Sequence, residues 1–300
     1  MFDAVVATGK LPWIEIVLLF SWYYFLKDNS IAIYTAIYDN LGPIWAGPIL
    51  AWSMHMIFYH THSAIYAYMD SHKGPWTKYK VSSFDKLSYS QILPNVVKNQ
   101  CIFLVIGCLS YQVTEGRGWV RATEYYGDMS WANLIFEQLA MYLSYECIFY
   151  WAHRWMHITR FNFWGLSSKN YNLYALFHKM HHMTFASVGV SGLYMTSTDA
   201  FFTQTLPQIV GPAVFNFHPM VMWLGALIGS MNAVHTHSAY DFWGLAAPHG
   251  HELHHSRYKV NYGTGIFDRI LGTRLLEEEV VREGYGLGGK LKKDVKVRTE

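Results

Sequence analysis

The residues of this sequence best suited to chemistry are histidines at close, repeated spacing. His153-Arg154-Trp155-Met156-His157 is an H-x3-H pair, His178-Lys179-Met180-His181-His182 is an H-x2-H-H triplet, and His251-Glu252-Leu253-His254-His255 is a second triplet of the same form. His237 precedes the last motif, and His235 and His249 flank it as further candidates. On a helix, positions i and i+4 lie about 6 Å apart along one face, so the two imidazoles of such a pair can point into a common volume. One histidine near a helix end is usually a hydrogen-bonded polar residue. Three spaced motifs together call for a ligand. Neutral imidazole suits zinc, copper, iron and nickel. A zinc site takes three or four protein ligands, so eight or nine histidines imply two metal ions. Two irons with open positions can bind and reduce dioxygen, and an all-nitrogen shell differs from the carboxylate-rich shell of soluble di-iron bundles.

Two other readings use the same residues. His251-Glu252-Leu253-His254-His255 satisfies H-E-x-x-H, the zinc protease signature in which Glu is the general base. That reading predicts one metal and a third ligand downstream, whereas no histidine follows His255 and the motifs from His153 to His182 are left without purpose. A metal transporter or histidine-rich sensor is the non-enzyme alternative. It would use ionisable residues inside apolar spans, for which Glu15, Glu137, Glu146, His55, His60 and His62 are available. Glu15 and Glu137 lie near the ends of their apolar stretches, where they can reach water, and the three histidines fall close to an expected interface. Under the two-metal reading Glu252 is an outer carboxylate that holds a histidine tautomer, or a surface group.

The elements that must position these histidines follow from composition. Of 300 residues, 52% are apolar or aromatic and 15% are charged, against about a quarter charged in a soluble domain. The 12 Trp and 22 Tyr suit positions with an apolar and a polar side. A net charge of +2 without a basic motif excludes nucleic-acid binding. Cys101, Cys108 and Cys147 are too few for a disulfide framework and read as small buried hydrophobes. Apolar stretches near the length needed to cross a bilayer run from Leu11 to Leu26, Leu41 to Tyr59, Val96 to Tyr111 and Trp131 to Ala152. Ala186 to Val234 is longer and has Gly211-Pro212 near its middle, which allows two crossings or a re-entrant hairpin. The first stretch lacks a signal-peptide cleavage site and reads as a retained helix.

Loops 27–40 and 113–130, placed outside, hold only Lys27, Arg117 and Arg121 of the 23 Lys and Arg. Positive charge marks the cytoplasmic side, so segments 153–185 and 235–300, with most of the histidines, share that face. The expected fold is all-α: a polytopic integral membrane helical bundle of four to six membrane helices with a cytoplasmic histidine-rich di-metal cap.

The sequence resembles the sterol desaturase and fatty acid hydroxylase superfamily of membrane di-iron enzymes. The resemblance is carried by Tyr150-Trp151-Ala152-His153-Arg154-Trp155-Met156-His157, by the two H-x2-H-H motifs, by His237-Ser238-Ala239-Tyr240-Asp241, and by Asn261-Tyr262-Gly263 with Phe267-Asp268-Arg269-Ile270-Leu271-Gly272-Thr273. It covers roughly residues 94 to 274. The H-S-A-Y-D stretch is similar to H-S-G-Y-D of sterol C-4 methyl oxidases and to H-S-G-Y of cholesterol 25-hydroxylases, and Asn-Tyr-Gly is similar to sterol C-5 desaturases. Ala239 stands where those oxidases usually have Gly, and Ser197-Thr198-Asp199 replaces the His-Pro-x-Glu that often follows the second motif.

The resemblance implies that His153, His157, His178, His181, His182, His237, His251, His254 and His255 hold two iron ions, with dioxygen as co-substrate. It further implies monooxygenase activity on a C–H bond of a sterol or sterol-like lipid, with a fatty acyl or other lipid hydroxylase or desaturase as the alternative. Electrons would come from a cytochrome b5-type donor and an NAD(P)H reductase, and the membrane would be the endoplasmic reticulum in a eukaryote. Residues 1–93 then form N-terminal membrane helices with a basic loop, 94–274 the di-iron domain, and 275–300 a basic tail.

Overall fold

The computed structural model describes residues 13–82, 87–116, 130–159, 162–163, 166–167, 172–215, 217–242, 245 and 248–276. Helix α1 is Trp13–Leu26 and α2 is Ser30–Leu41. The segment 27–40, read above as a loop, is therefore mostly helix. A second correction concerns the stretch from Leu41 to Tyr59. Gly42, at φ 91°, ends α2 in a conformation that disfavours side chains, and Pro48 sits in a π-helical turn, Trp45–Ile49. The long helix α3 begins only at Leu50 and runs to Ser71. His55 and His60 therefore lie inside α3, well before its end.

Helix α4, Tyr89–Gly116, contains the third expected stretch. Its Tyr89–Gln112 portion is the one helix among the described residues that is both long and apolar enough to cross a membrane. Residues 117–129 of the expected outer loop lie outside the described residues. Helix α5, Trp131–Met156, starts where the Ser130 hydroxyl accepts from the Asn133 N–H and extends past Ala152, so that His153 is helical and His157 caps its end. A two-residue antiparallel ladder pairs Asn162–Phe163 with Leu166–Ser167.

The triplet His178 to His182 departs from the single helix expected of it. A π-helical turn, Tyr174–His178, is followed by a 3-10 turn, His181–Met183. A further 3-10 turn, Gly189–Leu193, leads to π-helical Ala200–Thr205 and α6, Leu206–Phe215. Gly211 and Pro212 lie within α6. A Cβ on Gly211 would stand within 3.4 Å of Ser144 Cβ and Phe217, so glycine lets α6 approach α5 closely. The chain breaks instead at Phe217-His218, where the His218 ring accepts from the Met220 N–H and Pro219 opens α7, Pro219–Thr236. Helix α8 is His249–Arg257 and α9 is Ile266–Ile270.

Helix α7 lies along α3, and α6 along α5. One apolar core joins Tyr59 and Tyr66 of α3, Ile92 and Val96 of α4, Val190 and Leu193 of the 3-10 turn, Val234 and Tyr240. A second joins Tyr23, Leu134, Phe217 and Leu224. The helices face outward with apolar side chains, among them Phe20, Phe58, Val105, Phe136 and Leu139, and keep Asn99, Gln100 and Glu146 inside. Cys101 is exposed and Cys108 and Cys147 half-buried, so the expectation of buried cysteines fails. All three are free, in accord with the absence of a disulfide framework.

Candidate metal centre

Helix α5 brings His153 and His157 to one end of the bundle, and α8 brings His251, His254 and His255 to the same place. The nine histidines separate into two groups, each with ligand atoms within 4.8 Å of one another: His153, His157, His178, His182 and His254 in one, His181, His237, His251 and His255 in the other. In each H-x2-H-H motif the i, i+4 pair serves one group and the i+3 residue crosses to the other. Neighbouring side chains on a turn point in different directions, and the adjacent rings of His181 and His182 stand at 85°, those of His254 and His255 at 88°. The motif therefore straddles two positions.

Hydrogen bonds fix which nitrogen faces inward. A carbonyl oxygen only accepts, so the ring Nδ1–H of His153 donates to Tyr262 O at 2.6 Å, that of His254 to Val260 O at 2.7 Å, and that of His255 to Thr184 O at 2.8 Å. The His178 Nδ1–H donates to the Asp199 carboxylate at 2.7 Å. Each of these rings, when neutral, turns an unprotonated Nε2 to the centre. His153 Nε2 and His178 Nε2 are 3.0 Å apart, and His255 Nε2 lies 3.0 Å from His251 Nε2. Two such lone pairs repel unless a cation lies between them. About 3 Å is also the separation of adjacent nitrogens that each sit about 2.1 Å from one ion. The donor set and its orientation thus fit two metal ions.

Burial keeps these imidazoles neutral. His181 is lowered to about 4 by desolvation and by His178, with Asp199 partly opposing, and His254 is lowered to about 3 by desolvation. His182, His237, His251 and His255 fall well below their ordinary value, through burial first and then through neighbouring rings. Neutral rings are the form that binds metal.

His235 and His249 stand outside both groups. His235 Nδ1 is 2.5 Å from the Tyr66 hydroxyl, and His249 Nε2 is 3.5 Å from Asp241. His251 and Glu252 do not form a one-metal protease site, because the His251 and His255 pair is completed by His181 and His237 from earlier in the chain. Glu252 is buried. Of the membrane-transport candidates, Glu137 accepts from the His218 N–H, and His55 and His60 flank Gln100; the side chain of Glu15 lies outside the described residues. Arg154 donates to the Tyr150 hydroxyl and stacks on Tyr150 and Trp151.

The reading from sequence missed the residues that orient the ligands. Asp199, in the segment noted only as a departure, is fully buried against His178. Its own backbone N–H is capped by Thr196, a T-x-x-D pattern that could have been noticed. Ser191 lies 3.1 Å from His237 Nδ1. Asp268 accepts from Tyr262 N, Gly263 N and the Thr273 hydroxyl; burial pushes its carboxyl up while these bonds draw it back. Glu146, fully buried in α5, accepts from the N–H groups of Thr264, Gly265, Ile266 and Phe267.

Comparison with known proteins agrees with this geometry. Residues 138–273 match the family model described as fatty acid hydroxylase. The chain is 32% identical over 142 residues to human fatty acid hydroxylase domain-containing protein 2, covering 45% of this chain and 38% of that protein. It is 31% identical over 130 residues to methylsterol monooxygenase 1-3 of Arabidopsis thaliana, 40% of each chain. It is 28% identical over 170 residues to a Delta(7)-sterol 5(6)-desaturase of Gibberella zeae, 55% of this chain and 45% of that one. The chain thus spans about two-fifths of the length of the first two of these relatives. No solved structure matches. Residues 138–273 enclose all nine of the grouped histidines, so the part of the chain that carries the candidate centre is the part that is similar to the fatty acid hydroxylase family.

Proposed function

We propose that this chain is a membrane-embedded, dioxygen-dependent di-iron monooxygenase that oxidises a C–H bond of a sterol or sterol-like lipid. The observation that carries the reading is the pair of buried histidine groups, five and four, with unprotonated nitrogens turned inward. Iron in both positions would supply dioxygen reduction and C–H oxidation. The chain's own residues hold nine imidazoles in place, fix the tautomers of several through carbonyls and Asp199, and keep bulk water out by burial. Similarity to a methylsterol monooxygenase and to a sterol desaturase favours a sterol substrate. A fatty acyl substrate is the second reading, favoured by 28% identity over 190 residues to the fatty acid hydroxylase ahd1 of Mycosarcoma maydis.

Membrane embedding, with several helices crossing, is supported by the outward apolar faces of α1, α3, α4 and α5 around a polar interior. The histidine cap then faces the cytoplasm, where the Lys- and Arg-rich segments lie, and in a eukaryote the membrane is the endoplasmic reticulum. A cytochrome b5-type carrier with an NAD(P)H reductase supplies the electrons, and the division at 94 and 274 separates membrane helices and tail from the di-iron domain. A mostly apolar cavity of about 210 Å3 is lined by Trp52, His55, Phe103, Thr205, Met222 and Ala226 among others.

The test is elemental analysis of the detergent-purified chain, followed by incubation with 4-methylsterols, other sterols and fatty acyl lipids, dioxygen and a reducing system. Two irons per chain and an oxidised sterol detected by mass spectrometry are expected. One zinc and no iron would overturn the reading, and an oxidised fatty acyl product alone would move it to the second.

A further inference from the structure

The outer partners of the two histidine groups differ in charge. In the five-histidine group, His178 donates directly to the Asp199 carboxylate at 2.7 Å. His153 reaches a second carboxylate through a single peptide unit. Its Nδ1–H donates to Tyr262 O at 2.6 Å, and the N–H of that same peptide, on Gly263, donates to Asp268 Oδ2 at 2.6 Å. Hydrogen bonds in such a chain polarise one another, each strengthened by about 10–30%, so negative charge on Asp268 makes the Tyr262 carbonyl a better acceptor and the His153 ring a better ligand.

The peptide is held for this role. Tyr262 N also donates to Asp268, and Glu146 takes the N–H groups of the four residues after Gly263. A Cβ on Gly263 would lie 2.8 Å from Glu146 Oε1 and 3.2 Å from Asp268 Oδ2, so only glycine lets the peptide sit against both carboxylates. In the four-histidine group three of the rings have neutral hydrogen-bond partners: Tyr194 O for His181, Thr184 O for His255 and the Ser191 hydroxyl for His237.

We infer that the two metal positions are unequal, and that Asp199 and Asp268 make the five-histidine position the tighter one, filled first. The inference rests on the reading above in which both groups hold metal. A carboxylate behind a metal-bound histidine raises its basicity, and removing such a partner costs about 10–100-fold in metal affinity. A fifth nitrogen adds to the same preference.

The experiment is a Co2+ titration of the metal-depleted, detergent-purified full chain, followed by absorbance and by equilibrium dialysis. Two phases of one ion each are expected, the first at least tenfold tighter. His237→Ala assigns them by erasing the loose phase. Asp199→Asn, which keeps an acceptor for His178 but removes the charge, should weaken the tight phase by 10–100-fold and the loose phase less, as should Asp268→Asn. Ser191→Ala should weaken the loose phase alone. Two ions bound with equal affinity, or a tight phase erased by His237→Ala, would overturn the inference and leave the two-metal reading standing. A tight phase unmoved by Asp199→Asn would do the same even if Asp268→Asn failed to fold. Binding of fewer than two ions would overturn both.

Discussion

At the scale of the residue, the histidines of this chain divide by what each nitrogen faces. His237 and His235 are two positions apart and both buried, yet His237 turns to His251 at 2.7 Å while His235 turns to Tyr66. Replacing His237 with Ala should cost one metal ion per chain. His235→Ala should leave metal content unchanged and lower stability by about 1–3 kcal/mol, the cost of an unpaired buried polar partner; elemental analysis beside thermal unfolding separates the two. Glu252 is buried next to His251 but belongs to neither metal group. Glu252→Gln should retain both metals and most turnover, whereas complete loss of activity with one zinc retained would restore the protease reading.

At the scale of the element, the loops and turns that connect helices carry as much of the site as the helices do. The 3-10 turn Gly189–Leu193 touches α3 through the Tyr59 hydroxyl, which accepts from Leu193 N, and places Ser191 on His237. It also rests on α7 so closely that a Cβ on Gly192 would stand 2.8 Å from Ala233 O. A backbone carbonyl inside a helix cannot yield as a side chain can. Gly192→Ala should therefore push the turn away, cost about 1–3 kcal/mol by overpacking, and loosen metal at the four-histidine group more than at the other. Thermal unfolding and metal dialysis on the same sample would check both halves.

At the scale of the whole molecule, the metal cap concentrates buried imidazoles whose proton affinity is depressed on folding. The unfolded chain therefore binds more protons than the folded one below the ordinary histidine value of about 6.5. Stability of the metal-free protein should be highest above that pH, fall as pH drops below it, and keep falling toward about 4 as His181 takes up its proton. Metal bound only to the folded state should shift the midpoint of unfolding upward in proportion to the logarithm of its concentration. Thermal scans from pH 8 to 5, with and without metal, would test this; a metal-free protein equally stable at pH 5 and pH 8 would contradict the neutral-cap account.

The sequence by itself singled out the histidines that the structure gathers, because motif spacing is local: i, i+3 and i+4 histidines name their own residues, and the three motifs from His153 to His255 could be identified without a structure. It also determined the all-α class, since apolar runs such as Val96 to Tyr111 are helical whatever they pack against. The division of those ligands was beyond it. Which group His181 or His254 joins depends on two turns meeting across more than 70 residues, as His255 meets Thr184. The anionic partners lay further out of reach. Glu146, Asp199 and Asp268 read in sequence as a lone acid in an apolar span, a departure from a motif and part of a closing segment. Only tertiary packing brings Glu146 to Thr264 and His153 to Tyr262, because hydrogen bonds between distant segments leave no periodicity in the chain.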